Sequence, residues 1–66
     1  MNRKQRRYLN QSIMLALADG WPHDLADIAD QAGADPGDVQ TSLNQLVRAG
    51  FVHHNLHDRE YSKKKN

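Results

Sequence analysis

Hydrogen-bonding side chains recur at helical spacing along residues 36–49, opposite an apolar stripe of Val39, Leu43, Leu46 and Val47. At 100° per residue the side away from that stripe carries amides, a hydroxyl and a guanidinium. These side chains belong to Gln40, Thr41, Asn44, Gln45 and Arg48. Such groups recognise a partner by hydrogen bonding, so this face is a candidate binding surface. The alternative is a polar face that serves solubility alone.

Three histidines, His53, His54 and His57, lie close together near the C-terminal end, while His23 stands apart. A zinc site needs three or four ligands that converge in tetrahedral geometry. Neighbouring side chains of a strand point to opposite faces, so His53 and His54 diverge if the segment is extended. We therefore predict no metal site and keep a pH-sensitive contact with a partner as the alternative role.

Catalytic patterns are missing from the sequence. It contains no glycine-rich phosphate loop, no nucleophile beside a recognisable base and no cysteine that could supply a thiolate. We predict that the protein is not an enzyme, that it has no catalytic residue and that it needs no cofactor.

The length of 66 residues predicts a single domain over residues 1–62, followed by a basic disordered tail over residues 63–66. A domain this small buries only about 60% of the surface of its unfolded chain, which leaves little room for a deep pocket. The lack of cysteine fits a reducing compartment, and no apolar run approaches the roughly 20 residues that span a bilayer. We expect a cytoplasmic protein without membrane contact.

Charge is segregated along the chain despite a net charge of +1. The start, residues 1–7, and the end, residues 63–65, are basic, whereas residues 19–38 hold six aspartates and no Lys or Arg. Basic arms of this kind can contact phosphate, or they are simply solvated. The carboxylates repel phosphate. Asp27 and Asp30, which have no capping role, belong either to a solvated helix face or to a surface for a basic partner.

Leu9, Ile13, Ala16 and Leu17 predict a first helix from Arg3 or Lys4 to Ala18, stopped by Gly20. Its later part, "IMLALA", is apolar nearly all round. We predict that this part is buried between two neighbouring elements. The alternative is self-association through Met14, Leu15 and Ala18, which would give a homodimer through the first helix.

Start and stop signals define two further helices. Asp24 is the predicted N-cap of the second helix, which ends at Gly33 in a left-handed conformation and buries Leu25, Ile28, Ala29 and Ala32. Asp35 is the predicted N-cap of the third helix, which ends at Gly50. Two helices joined by a short glycine-containing turn form a helix-turn-helix.

Trp21, in the preceding break "GWPHD", is expected to cover the edge of the core.

The remaining residues predict a hairpin with strands over 51–54 and 59–62, joined by "NLHD". Phe51, Val52 and Tyr61 are expected to anchor it to the helices. The predicted fold is α+β and mostly α: a three-helix bundle with a helix-turn-helix, followed by a C-terminal two-stranded β-hairpin wing.

The segments "DLADIADQAGADPGDVQTSLNQLVRAGFV" and "HDREYS" resemble the winged helix-turn-helix superfamily, especially compact bacterial regulators of the MarR and IclR type. The resemblance implies that the third helix enters the major groove and that the wing lies near the DNA backbone. It then assigns base reading to Gln40, Thr41, Asn44, Gln45 and Arg48. It assigns backbone contacts to Arg6, Arg7, Gly37, Arg59 and Lys63.

The implied function is sequence-specific binding of double-stranded DNA by a small transcriptional or replication regulator of bacterial or phage type. The alternative is a winged-helix protein-interaction module, which binds a polymerase or a larger regulator through the acidic second helix and the exposed end of the first helix. The position of charge discriminates them: Arg6, Arg7, Arg48 and Arg59 around the third helix favour DNA, and aspartates there favour a protein.

Overall fold

Three helices and a small antiparallel sheet make up the computed structural model, which describes residues 1–65. The helices are α1 (Arg3–Ala16), α2 (Leu25–Ala32) and α3 (Pro36–Ala49), and the strands are β1 (His23–Asp24), β2 (Val52–Asn55) and β3 (Glu60–Lys63). The strand order is β1-β3-β2. The predicted fold class, mostly helical with a hairpin after the third helix, is confirmed. Asn66, the last residue of the predicted tail, lies outside the described residues.

Helix α1 begins with a capping box. The Asn2 side chain accepts from the Gln5 amide at 2.8 Å, and the Gln5 side chain accepts from the Asn2 amide at 3.1 Å. The helix ends at Ala16, two residues before the predicted end. The chain tightens there because the Ala18 amide bonds to the carbonyl only three residues earlier, at 3.1 Å.

The predicted caps of α2 and α3 are confirmed. Asp24 accepts from the Asp27 amide at 2.8 Å, and Asp35 accepts from the Gly37 amide at 2.9 Å. Gly33 follows α2 with φ 64°, a left-handed conformation that costs a glycine little. These local signals hold the two helices of the helix-turn-helix at the predicted lengths.

The hairpin strands lie one residue later than predicted. The Phe51 amide donates to the Leu46 carbonyl at 2.9 Å, which keeps Phe51 in the cap of α3, so pairing begins at Val52. Arg59 has φ 56° and belongs to the turn, so β3 begins at Glu60. Strand β3 then extends to Lys63, the first residue of the predicted tail.

Strand β1 was not predicted. His23 pairs with Tyr61 and Asp24 with Glu60, which turns the predicted two-stranded hairpin into a three-stranded sheet. Two residues carry no alternation that a sequence pattern could detect, and their pairing depends on a strand far along the chain.

The apolar stripes of the three helices meet β2 and β3 in one core. It consists of Leu9, Ile13, Leu17, Ile28, Ala29, Val39, Leu43, Leu46, Val52 and Tyr61. Ser42 is the polar residue buried with them.

Among residues 1–65, no helix is both long and apolar enough to cross a membrane.

Three predictions about apolar side chains are wrong. Trp21 is 71% exposed and does not cover the core edge, and Phe51 is 59% exposed although it was expected to anchor the hairpin. Leu15 is 75% exposed, so the later part of α1 is not enclosed between two neighbours. The core is filled by one side of α1, which leaves the opposite side to solvent.

Candidate nucleic-acid interface

The polar face of α3 lies on the surface of the protein. Val39, Ser42, Leu43 and Leu46 point into the core. The opposite side presents five exposed residues, Gly37, Thr41, Asn44, Gln45 and Arg48. Four of the five predicted base-reading residues are therefore exposed together, and Gln40 is the exception.

Gln40 is half-buried and joins α3 to the sheet. Its Nε2 donates to Tyr61 Oη at 2.9 Å and to Asn44 Oδ1 at 2.9 Å. These bonds fix the orientation of Gln40 and occupy one acceptor of Asn44. The structure thus gives Gln40 a positioning role that its place on the helical wheel did not reveal.

An aromatic pair joins the two strands of the hairpin. Tyr61 is 4% exposed, and the His54 ring stacks on it with centroids 4.2 Å apart and planes 11° apart. The two residues are register partners in β2 and β3. Because Tyr61 also bonds to Gln40, the hairpin and the exposed face of α3 keep a fixed relative position.

The turn of the hairpin places Arg59 beside α3. Asn55 Oδ1 accepts from the amides of His57 and Asp58 at 3.1 and 3.4 Å, which closes the turn. A cleft of about 400 Å³ separates this turn from the helices. Its lining includes Arg59, Leu56, Gln40 and Leu25. Arg59 therefore lies at a cleft whose α3 wall is Gln40, on the hairpin side of the helix.

Arg6 approaches α3 from α1. Its Nη1 donates to Ser42 Oγ at 2.6 Å and to the Asp38 carbonyl at 2.9 Å, both partly buried. The sequence predicted Arg6 as a phosphate contact, and its long-range role in joining two helices was missed. No local pattern signals a contact between residues 36 positions apart.

Gly37 is engaged within the first turn of α3. Its amide donates to the Asp35 cap, and its carbonyl accepts from Thr41 Oγ1 at 3.1 Å. A phosphate that approached the Gly37 amide would have to displace the capping carboxylate. Within residues 1–65, no hydrogen bond engages the side chains of Gln45 and Arg48, which leaves both available to a partner.

Arg7 and Lys63 are not brought to this face. Arg7 lines a groove between α1 and the end of α3. Lys63 lies at the base of the hairpin with His53, Lys64 and Gly20. A strand rises about 3.3 Å per residue, so Lys63 stands roughly 13 Å from Arg59. Of the four arginines expected around α3, Arg48 lies on the exposed face and Arg6 bonds to α3. Arg59 and Arg7 line separate clefts that α3 shares with the hairpin turn and with α1.

Several aspartates of the acidic segment have partners within the protein. His23 Nε2 lies 3.0 Å from both carboxylate oxygens of Asp19, and His23 Nδ1 contacts Asp27 Oδ2. Hydrogen bonding to Asp19, with a further contribution from Asp27, raises the pKa of His23. The same bond lowers the pKa of Asp19. Asp19 lies in the turn after α1, His23 in β1 and Asp27 in α2, so no single helical period signals this cluster.

The remaining histidines have separate surroundings. His53 and His57 are exposed, while His54 stacks on Tyr61. In the part of the chain that the structure describes, no three His, Asp or Glu side chains converge as metal ligands.

Comparison of this chain with protein-family models, curated proteins and solved structures gave no match. What the site can do follows from its own side chains: an exposed face of amides, a hydroxyl and Arg48, with Arg6 on one side and Arg59 on the other.

Proposed function

We propose that this protein is a winged-helix DNA-binding domain that places α3 in the major groove of double-stranded DNA. The observation that carries the proposal is the exposed polar face of α3 between Arg6 and Arg59. An α-helix with its side chains is about 10–12 Å wide, and the major groove is about 12 Å wide. The face is therefore the right size and chemistry for base edges.

The side chains of α3 suit particular bases. The amides of Asn44 and Gln45 match the donor and acceptor on adenine, and Arg48 matches the two acceptors of guanine or a phosphate. Thr41 contributes a methyl group against thymine. Gln40 acts indirectly, since its bonds to Tyr61 and Asn44 set the angle at which Asn44 is presented.

Backbone contact is assigned to Arg59 in the hairpin turn. The protein has a net charge of +1, so few phosphates are neutralised by one copy. Each neutralised phosphate makes the slope of log affinity against log salt concentration more negative by about 0.9. We infer binding that is weak for one copy and clearly salt-dependent. A regulator of transcription or replication is the corresponding biological role.

A protein partner at α2 is the weaker proposal. It rests on the acidic charge of α2, but Asp24 caps α2 and Asp27 bonds to His23 and Gln31. Asp30, exposed beside a groove of about 430 Å³, is the carboxylate of α2 for which residues 1–65 offer no hydrogen bond. One carboxylate is a small basis for recognising a basic partner.

Two charge reversals with the same change in net charge test the DNA proposal. Arg48→Glu alters the proposed reading face, whereas Lys64→Glu alters the base of the hairpin. We expect Arg48→Glu to weaken binding of a fluorescent duplex pool at least about tenfold, or about 1.4 kcal/mol. Lys64→Glu should have a much smaller effect. Equal losses, or no binding by the native protein at low salt, would refute the assignment of α3 as the DNA surface.

A further inference from the structure

Helix α1 carries its charges at the unfavourable ends. Arg3, Lys4, Arg6 and Arg7 lie in its first turns, where the helix dipole is positive. The first turn has no acidic residue, the last turn has no basic residue, and Asp19 follows the end. Arg6 bonds to α3, but α1 has no acidic side chain that could pair with Arg3, Lys4 or Arg7.

A stripe of side chains runs along the outer side of α1 with alternating spacings of four and three residues. It consists of Lys4, Tyr8, Gln11 and Leu15 within α1, followed by Ala18 in the turn after the helix, all exposed. Tyr8 is 62% exposed and Leu15 is 75% exposed. The alternation of four and three is the pattern by which one helix packs along another. No helix of the described chain covers this stripe.

An apolar groove adjoins the stripe. It has a volume of about 540 Å³ and is lined by Met14, Leu46 and Phe51, with Arg7 and Asn10 among its polar residues. The lining is mainly apolar, so the groove has room for an apolar side chain of a partner.

We propose that a second copy of this chain occupies the groove, with the two α1 helices antiparallel about a two-fold axis near Gln11. This arrangement is isologous: each copy presents the same surface to the other. Tyr8 of each copy then lies against Met14 and Leu15 of the other, at the mouth of the groove.

Charge complementarity favours this occupant. In the antiparallel pair, Arg3 and Lys4 of one copy lie beside Ala18 and Asp19 of the other. The negative end of the α1 dipole and the Asp19 carboxylate, 49% exposed, thus meet the basic start of α1 in the second copy. The arrangement places each cation at the negative end of a helix. A parallel pair would instead bring like charges together.

The dimer requires no DNA, so its test is independent of the proposed function. Sedimentation equilibrium of the full chain without DNA should give twice the monomer mass of 7.5 kDa. Leu15→Lys should give a folded monomer, because it places an ammonium group beside Arg7 and Tyr8 of the second copy. Leu56→Lys, at a residue 78% exposed on the hairpin turn, should remain dimeric. A native monomer, or a dimer that persists in Leu15→Lys, would overturn the proposal.

Crosslinking locates the axis, since the chain has no cysteine of its own. Gln11→Cys should form a disulfide-linked dimer at least about tenfold faster than Gln45→Cys under mild oxidation, because the two copies hold it at a high effective concentration. Equal rates for the two variants would overturn the antiparallel pairing through α1.

Discussion

Arg6 Nη1 donates to Ser42 Oγ at 2.6 Å, which joins the basic start of α1 to the buried side of α3. Ser42 is fully buried, so this guanidinium satisfies a hydroxyl that would otherwise lack a partner in the core. The charge of Arg6 is thereby used to position the candidate reading helix.

Replacing Arg6 by Ala should destabilise the protein by about 1.5–3 kcal/mol, the usual range for a hydrogen bond to a charged group. The loss arises because Ser42 and the Asp38 carbonyl are both left without their donor. Urea unfolding followed by circular dichroism measures it. Arg48→Ala is the control and should cost no more than about 0.5–1 kcal/mol, since an exposed arginine in the last turn contributes only through the helix dipole. Equal losses in the two variants would contradict the positioning role.

Tyr61→Phe should cost about 0.5–1.5 kcal/mol because it removes the acceptor for Gln40 Nε2 while keeping the ring that stacks on His54. Tyr8→Phe removes the hydroxyl of an exposed tyrosine and should change stability by less than about 0.5 kcal/mol. Urea midpoints of the two variants give the comparison. If both behave like the native protein, the Gln40–Tyr61 bond does not hold the hairpin to α3.

The helix-turn-helix was predictable because its signals are local. Asp24, Asp35 and the two terminal glycines act on residues next to them, and the apolar stripes need only the helical period. Strand β1 was not predictable, since two residues acquire their conformation from pairing with Tyr61 and Glu60. Strands β2 and β3 begin one residue later than predicted for a similar reason. The Phe51 amide bonds to the last turn of α3, and Arg59 belongs to the hairpin turn.

The candidate site was predicted in part. Helical spacing correctly grouped Thr41, Asn44, Gln45 and Arg48 on one exposed face. It could not show that Gln40 is tied to Tyr61, because that depends on a strand 21 residues away. Charge alone likewise could not separate Arg6, which is bonded to α3, from its exposed neighbour Arg7.

The His23 cluster should make stability depend on pH. The folded protein raises the pKa of His23 above 6.5 through Asp19 and Asp27, so its contribution is fully present below about pH 6.5. That contribution is lost as the pH rises through the folded pKa. The advantage of the native protein over His23→Gln in urea midpoint should therefore shrink as the pH rises above about 6.5. An advantage that grew with pH would contradict this.

Replacing Asp19 tests whether its hydrogen bond is the cause of the raised pKa of His23. Asp19→Asn should move the pKa of His23 back toward 6.5, because the hydrogen bond to Asp19 is the main cause of the increase. Asp30→Asn, at a carboxylate outside the cluster, is the matched control. The NMR titration of the His23 ring measures both. An unchanged pKa of His23 in Asp19→Asn would rule out the assigned cause.

Arg59 combines a strained backbone with a proposed phosphate contact. Its φ of 56° is unfavourable for any residue with a Cβ by about 1–2 kcal/mol. Arg59→Gly should therefore stabilise the hairpin by about 1 kcal/mol, whereas Arg59→Ala should not. Both variants should bind all duplexes more weakly and lower the salt slope by about 1. Thermal unfolding and anisotropy titrations test the two effects separately. A loss confined to one DNA sequence would contradict a backbone contact.

The proposal that α3 binds DNA is tested most directly by an amide NMR titration of the labelled protein with a mixed-sequence duplex at about 50 and 200 mM salt. The account predicts shifts at Thr41, Asn44, Gln45 and Arg48 and around Arg59, which become weaker at the higher salt. Shifts confined to α2, or no shifts from a folded protein at the lower salt, would contradict it.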